Sequence, residues 1–318
     1  MNTFYLFILS ITVAIDCATL PKLDFKAEMR KFVVEIANYA RFFKPNFIVI
    51  PQNGHEILTT NGLANGIVDT VYMNAINGVG QEDLYYGYNG DNVATKASES
   101  NYLTAYLDLA KRFSKAVLVT DYCSTQSKMD DSYAKNYIKG YISMAASRRD
   151  LDIIPTYPVK SFNENLLDIT SLTMAKNFLY LINPNFKTKL EFLNAVKKTN
   201  HDVIIIDAYF NSQLLTFDDV QSLKTKANGG KRLVISYMSI GEAEDYRYYW
   251  NKWTVGSPSF VDKLNPDWAG NYKVQYWDPL WKAIIYGNDE SYTKKIITSG
   301  FDGIYLDIID AFEYFETL

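Results

Sequence analysis

This 318-residue chain contains only two histidines and two cysteines. His55 and His201 are too few for a multi-histidine metal site, and a Ser-His-Asp triad would have to use one of them. His201 follows Asn200 just ahead of a strand and reads as a surface turn residue. His55 follows Gly54 at a strand end, where it can line a site or simply pack. Cys17 and Cys123 cannot make a disulfide framework. No long basic run is present and the net charge is −4, so binding to nucleic acid by phosphate neutralisation is not expected. The apolar run at residues 2–15 is too short to span a membrane comfortably. It reads as the core of a secretory signal over residues 1–18, although a basic leader segment is missing. Asp16 stands where a small residue should precede a lipidated cysteine, which argues against an anchor at Cys17. The expectation is a secreted protein with no stable membrane insertion once the signal is removed.

Aromatic rings and carboxylates are plentiful instead. Aromatics make up 15% of the chain, with 25 Tyr and 5 Trp. Such rings can serve as core or rim, and they also suit stacking on the apolar faces of sugars. Hydrophobic residues reach 48%, enough for a large core in one barrel or in two smaller domains.

Met29, Phe32, Val33, Ile36, Ala37 and Ala40 recur at helical spacing and predict a helix over residues 27–43. Apolar runs predict buried strands at 47–50, 116–120, 141–145, 177–182, 203–206 and 232–237, and one more within 300–310. A weaker strand around Gly78 makes eight. Helical segments at 102–113, 133–138, 188–198, 218–227 and 280–297 lie between them. This alternation means a parallel sheet with right-handed crossovers. Eight units close a (β/α)8 TIM barrel, here one α/β domain over residues 25–318. The helix at 27–43 then takes the place of the helix missing after the last strand. Two doubly wound domains meeting near Asp150 are the alternative.

In a barrel, the C-terminal strand ends carry the chemistry. That rim would hold Gln52, Asn53, Glu82, Asp83, Asp121, Asp207, Glu242, Glu244, Asp307 and Asp310. Oxygen-rich sets of this kind bind hard metals or hydrolyse acetals with paired carboxylates. Aromatic loops beside the acids favour sugars, and no cofactor is called for. The bland readings are a helix cap for the acids after residue 306 and a solvated acidic turn for residues 78–88.

Three segments carry a resemblance: Val203 to Tyr209, Leu233 to Arg247, and Gly300 to Asp310. Trp268 to Tyr272 and Tyr276 to Pro279 join them. Together they resemble glycoside hydrolase family 114, the polygalactosaminidases, in its longer prokaryotic-type branch. Residues 50–54 and 78–83 extend the likeness into the N-terminal half. The resemblance implies a TIM barrel that hydrolyses α-1,4-linked galactosamine-containing polymers, with a polysaccharide or oligosaccharide as partner. It implies catalysis by Asp307. Other members carry a glutamate on a strand after this motif, and no such strand follows in this sequence. A circularly permuted order would supply the glutamate from Gln81-Glu82, so Glu82 is expected to complete the pair, with Glu242 as runner-up. Asp307 would be nucleophile or base and Glu82 the general acid, or the reverse. Gln52, Asn53, Asp121, Asp207, Tyr237, Glu242, Glu244 and Asp310 would hold the sugar, while Arg247 would pair with a neighbouring acid. A non-catalytic carbohydrate-binding barrel and a metal-assisted hydrolase are the competing readings. The histidine-rich signature of cysteinyl-tRNA synthetases is absent.

Overall fold

A computed structural model describes residues 23–318. The expected signal at 1–18 and Cys17 therefore lie outside the described residues. Helix α1, Phe25–Phe43, opens the fold. Asp24 caps it by accepting the Ala27 backbone N–H at 2.9 Å. The periodic apolar positions of its sequence form one completely buried face, from Met29 to Ala40.

Eight parallel strands follow in chain order, with short antiparallel ones in the loops between them: β1 Ile48–Pro51, β2 Gly78–Glu82, β3 Ala116–Tyr122, β4 Ile142–Ala146, β5 Phe178–Leu181, β6 Val203–Asp207, β7 Leu233–Ser239 and β8 Gly303–Asp307. Their residues are buried almost throughout, as expected of strands covered on both faces. Five form one sheet in the order β1-β8-β7-β6-β5, and β2-β3-β4 form another. Every ladder among these eight is parallel. A parallel bridge between Gln52 and Gly80 joins the two sheets past the end of β1. At the other seam the Tyr180 backbone N–H donates to Met144 Sδ at 3.1 Å, and no ladder pairs β4 with β5 among the described residues.

The glycines of β2 explain its weak propensity. Tyr305 of β8 fills the space over Gly80, where a Cβ would come within 2.0 Å of its hydroxyl. A Cβ on Gly78 would meet the Ala116 carbonyl at 2.7 Å. Only glycine lets β2 approach its neighbours this closely.

Helices α2 Thr70–Ala75, α3 Ala97–Arg112, α4 Gln126–Lys139, α5 Lys189–Lys197, α6 Phe217–Ser222, α7 Pro279–Ile285, α8 Tyr292–Thr298 and α9 Ala311–Glu316 pack outside the strands. The stretch expected as one helix over 280–297 is two, because the chain turns at Gly287 with φ +101°. Between β4 and β5 the crossover carries no α-helix, only a short 3-10 turn at Leu172–Met174. One contiguous apolar core runs from α1 to α9 and includes strands on both sides of position 150, which removes the two-domain alternative. His201 is not a surface turn residue. It is largely packed away, its Nδ1 is buried without a partner, and burial followed by the Arg232 charge pushes its pKa down to about 3. No helix among the described residues is long and apolar enough to cross a membrane.

Candidate active site

The parallel registers bring the ends of β1, β2 and β8 side by side. Pro51 pairs with Leu306, so the next residues, Gln52 and Asp307, emerge together. The Gln52–Gly80 bridge sets Glu82, at the tip of β2, on the other side of Gln52. Gln52 is almost wholly buried. Its Nε2 donates to Glu82 Oε2 at 2.8 Å and to Asp307 Oδ1 at 2.8 Å. The two carboxylate oxygens are therefore no further apart than twice that distance.

Each acid has its own further donors. The Tyr122 hydroxyl, from the end of β3, donates to Glu82 Oε1. Asn53 Nδ2 reaches Glu82 Oε2 at 3.3 Å, and Asn53 Oδ1 accepts the Glu82 backbone N–H at 3.2 Å. Asn53 adopts φ +59°, a left-handed conformation that asparagine tolerates. Asp307 Oδ2 accepts from the Tyr237 hydroxyl of β7 at 2.7 Å. Its Oδ1 also accepts the next backbone N–H, that of Ile308, at 2.9 Å. Ile308 has φ +59°, a strained choice for a β-branched residue, and this turn aims its N–H at the acid.

Burial, then the Asp307 charge, pushes the Glu82 carboxyl up to about 7, against the pull of the Tyr122 hydrogen bond. Burial pushes Asp307 up to about 6, opposed by the bonds from Tyr237 and the Ile308 N–H. The two titrate as a pair. Asp310 goes up to about 8 through burial and then the Asp307 charge. Two carboxyls of unequal proton affinity at one cleft are the ingredients of acid–base chemistry at an acetal.

The pair opens into a cleft of about 450 Å³. Gln52, Asn53, Glu82, Asp207, Tyr237, Glu244, Asp307 and Asp310 all line it. Two expected contacts do not. Asp121 is fully buried and points away toward α4, accepting from Ser132 at 2.6 Å and Asn136 at 3.2 Å, and from the Tyr85 backbone N–H at 2.8 Å. Glu242 is buried in a small antiparallel sheet, where Asn265, Asn271 and Lys273 donate to it. Asp83 turns to Arg149, with an ion pair of 2.8 Å. Arg247 pairs as expected, with Asp207 at 2.7 Å and Glu244 at 2.6 Å. His55 packs behind the site, bonded to Gln81 at 2.8 Å. The sequence reading missed Tyr122, Tyr180, Arg149, Tyr246 and Trp268, which also line the cleft. The aromatic character of four of them and the charge of Arg149 were visible, but not which way each side chain faces. Among the described residues, no three acid, cysteine or histidine side chains gather closely enough to hold a metal ion.

The cleft shares walls with two further cavities. One, of about 250 Å³, shares Asn53, Glu82 and Asp310 and carries acids but no lysine or arginine. The other, of about 360 Å³, shares Asp207, Tyr246 and Arg247.

Residues 175–317 match glycoside-hydrolase family GH114. This part of the chain, somewhat under half of it, is similar to that family. The matching segment supplies Asp207, Tyr237, Glu244 and Asp307, whereas Gln52 and Glu82 precede it. An uncharacterized protein of Methanocaldococcus jannaschii is 37% identical over 153 residues, 48% of this chain and 41% of that protein. One from Deinococcus radiodurans is 38% identical over 126 residues, 38% of this chain and 37% of its own. One from Thermotoga maritima is 47% identical over 81 residues, 25% of this chain and 24% of its own. The chain thus spans less than half the length of these curated relatives.

Proposed function

We propose that this protein is a secreted glycoside hydrolase of paired-carboxylate type, acting on α-1,4-linked galactosamine-containing polysaccharide. The observation that carries the reading is the single Gln52 amide nitrogen shared by Glu82 and Asp307. It supports a pair close to the ~5–5.5 Å carboxyl spacing of retaining enzymes. Asp307, with three donors favouring its anion, is the nucleophile. Glu82, the carboxyl that holds its proton to higher pH, is the general acid. Asp307 attacks the anomeric carbon while Glu82 gives its proton to the departing oxygen, leaving a glycosyl ester on Asp307. Glu82, now a carboxylate, then takes a proton from water, whose oxygen displaces Asp307 and restores both groups. The acid-lined cavity beside Glu82 suits the ammonium of an amino sugar through charge-assisted hydrogen bonds.

In this reading the eight parallel strands close into a barrel. The strand order is permuted relative to shorter family members, which is how Glu82 precedes Asp307 in the chain. The test is release of reducing ends from a galactosamine-rich polymer by the purified protein, set beside Glu82→Gln and Asp307→Asn. Loss of activity in both, with unfolding temperatures kept, is the expected result. Undiminished activity in both variants would remove the pair from catalysis. Affinity without turnover in the unaltered protein would make it a carbohydrate-binding barrel.

A further inference from the structure

The cavity on the far side of Arg247 differs in charge from the acid-lined one. The charged residues on its wall are one aspartate and one arginine, and these are paired: Arg247 Nη1 lies 2.7 Å from Asp207. Arg247 also holds Glu244 at 2.6 Å. Burial would lower the guanidinium's pKa, but Asp207 and Glu244 outweigh it and raise it well above the ordinary value, so the cation is permanent. Both carboxylates are taken up by that one cation, so an ammonium entering this cavity finds none left free to pair with it. Neutral hydrogen-bonding groups are available instead, on Asn183, Asn211 and Ser212.

Tyr246 stands at the junction and lines both this cavity and the main cleft. It is 53% exposed, unusual for a tyrosine so firmly fixed. Its hydroxyl donates to Glu244 at 2.5 Å, and the Arg247 guanidinium lies 5.1 Å from its ring centroid. A ring anchored at its tip and backed by a cation, with half its surface open, is pre-organised to receive the apolar face of a sugar.

We propose that this cavity is a sugar subsite selective for an uncharged unit, such as an N-acetylated or unsubstituted sugar, with Tyr246 as its stacking platform. The inference rests on the glycosidase reading above. It makes the cleft asymmetric, with a cationic amino sugar favoured on the Glu82 side and a neutral unit on the Arg247 side.

Two measurements on the full chain test it. The first sequences the new ends formed when a partly N-acetylated α-1,4-galactosamine oligomer is cut. One new end should be enriched in N-acetylated units and the other in free amines, and Tyr246→Ala should erase the enrichment on the N-acetylated side. The second titrates an N-acetylgalactosamine oligomer into unaltered protein, Tyr246→Ala and Tyr246→Phe. Binding should weaken about tenfold in the alanine variant and recover in phenylalanine, which keeps the ring. Cleavage without end bias, together with equal affinities in all three proteins, overturns the subsite while leaving the glycosidase reading intact. Tyr246-dependent binding without any cleavage keeps the subsite and overturns the hydrolysis. Stronger binding of a fully deacetylated oligomer at this side, lost in Tyr246→Ala, overturns the charge selectivity.

Discussion

Glu82 Oε2 and Asp307 Oδ1 each lie 2.8 Å from one atom, Gln52 Nε2. Two like-charged carboxyls on separate strands would otherwise repel and splay. The amide supplies one N–H to each, and the opposite end of its side chain, Oε1, is buried without a donor. Gln52 is thus held by what it does for the two acids. Gln52→Ala should lower kcat by about 10–100-fold, the loss expected when reacting groups drift by about an ångström. KM should change little, because the substrate-holding walls remain. Steady-state kinetics on the polymer would check this, and a raised KM at normal kcat would make Gln52 a substrate contact instead.

The pH dependence follows from which acid must lose its proton. With Asp307 ionised and Glu82 protonated, activity should peak between about 6 and 7. The Tyr122 hydrogen bond lowers the Glu82 pKa, so Tyr122→Phe should move the alkaline limb to higher pH. The Tyr237 bond lowers the Asp307 pKa, so Tyr237→Phe should move the acid limb upward as well. Profiles of kcat/KM for the two variants separate these effects. A shift of the acid limb by Tyr122→Phe and of the alkaline limb by Tyr237→Phe would exchange the roles of the two carboxyls.

Much of this arrangement was legible in the sequence, and the failures share a cause. Strands rich in Val and Ile announced themselves, as at Val203 to Ile206, and strand ends located the acids. Spacing could not say which face each strand-end side chain takes. Successive residues on a strand alternate faces. Asp121 therefore points out to Ser132 and Asn136, while Tyr122, one residue on, points in to Glu82. β2 looked weak because its glycines serve the packing of Tyr305, a long-range demand invisible to local propensity. Glu242 follows β7 closely, but a small sheet built from residues around 261–274 claims it.

Asp310 adds a stability prediction of definite sign. Its pKa is raised from 3.8 to about 8, so between those values the folded chain holds a proton that the unfolded chain has released. Stability attached to this group then falls as pH rises through that window and is lowest above it. Asp310→Asn mimics the protonated form. It should leave the unfolding temperature unchanged near pH 4 and raise it by about 2–3 °C near pH 8, once the partial exposure of the group is allowed for. Equal effects at the two pH values would show that the carboxyl does not resist ionisation.

One buried ion pair is hydrogen-bonded to the irregular crossover between β4 and β5. Lys226 and Asp202 are both 0% exposed in their side chains and lie 3.0 Å apart. Lys226 Nζ also donates to the carbonyls of Asn165 and Leu167, each at 2.9 Å. Asp202 in turn accepts from Asn165 Nδ2 and the Lys176 backbone N–H, each at 2.8 Å. A segment without an α-helix is thereby tied to the strands at two points. Lys226→Met would leave the Asp202 carboxylate buried without its cation and the Leu167 carbonyl without a donor, while the Asn165 carbonyl keeps the Asn228 amide at 2.9 Å. Urea unfolding should register a loss of about 3–5 kcal/mol, the usual cost of stranding one member of a buried ion pair. Limited proteolysis should become faster within residues 150–170. Pairing the change with Asp202→Asn removes the stranded charge and should recover part of the loss, whereas the loss of the lysine bonds to Asn165 and Leu167 would still leave the crossover susceptible to cleavage. Recovery of stability without recovery of protection would separate the two contributions, and a fully stable Lys226→Met would show that the crossover is held by its apolar contacts alone.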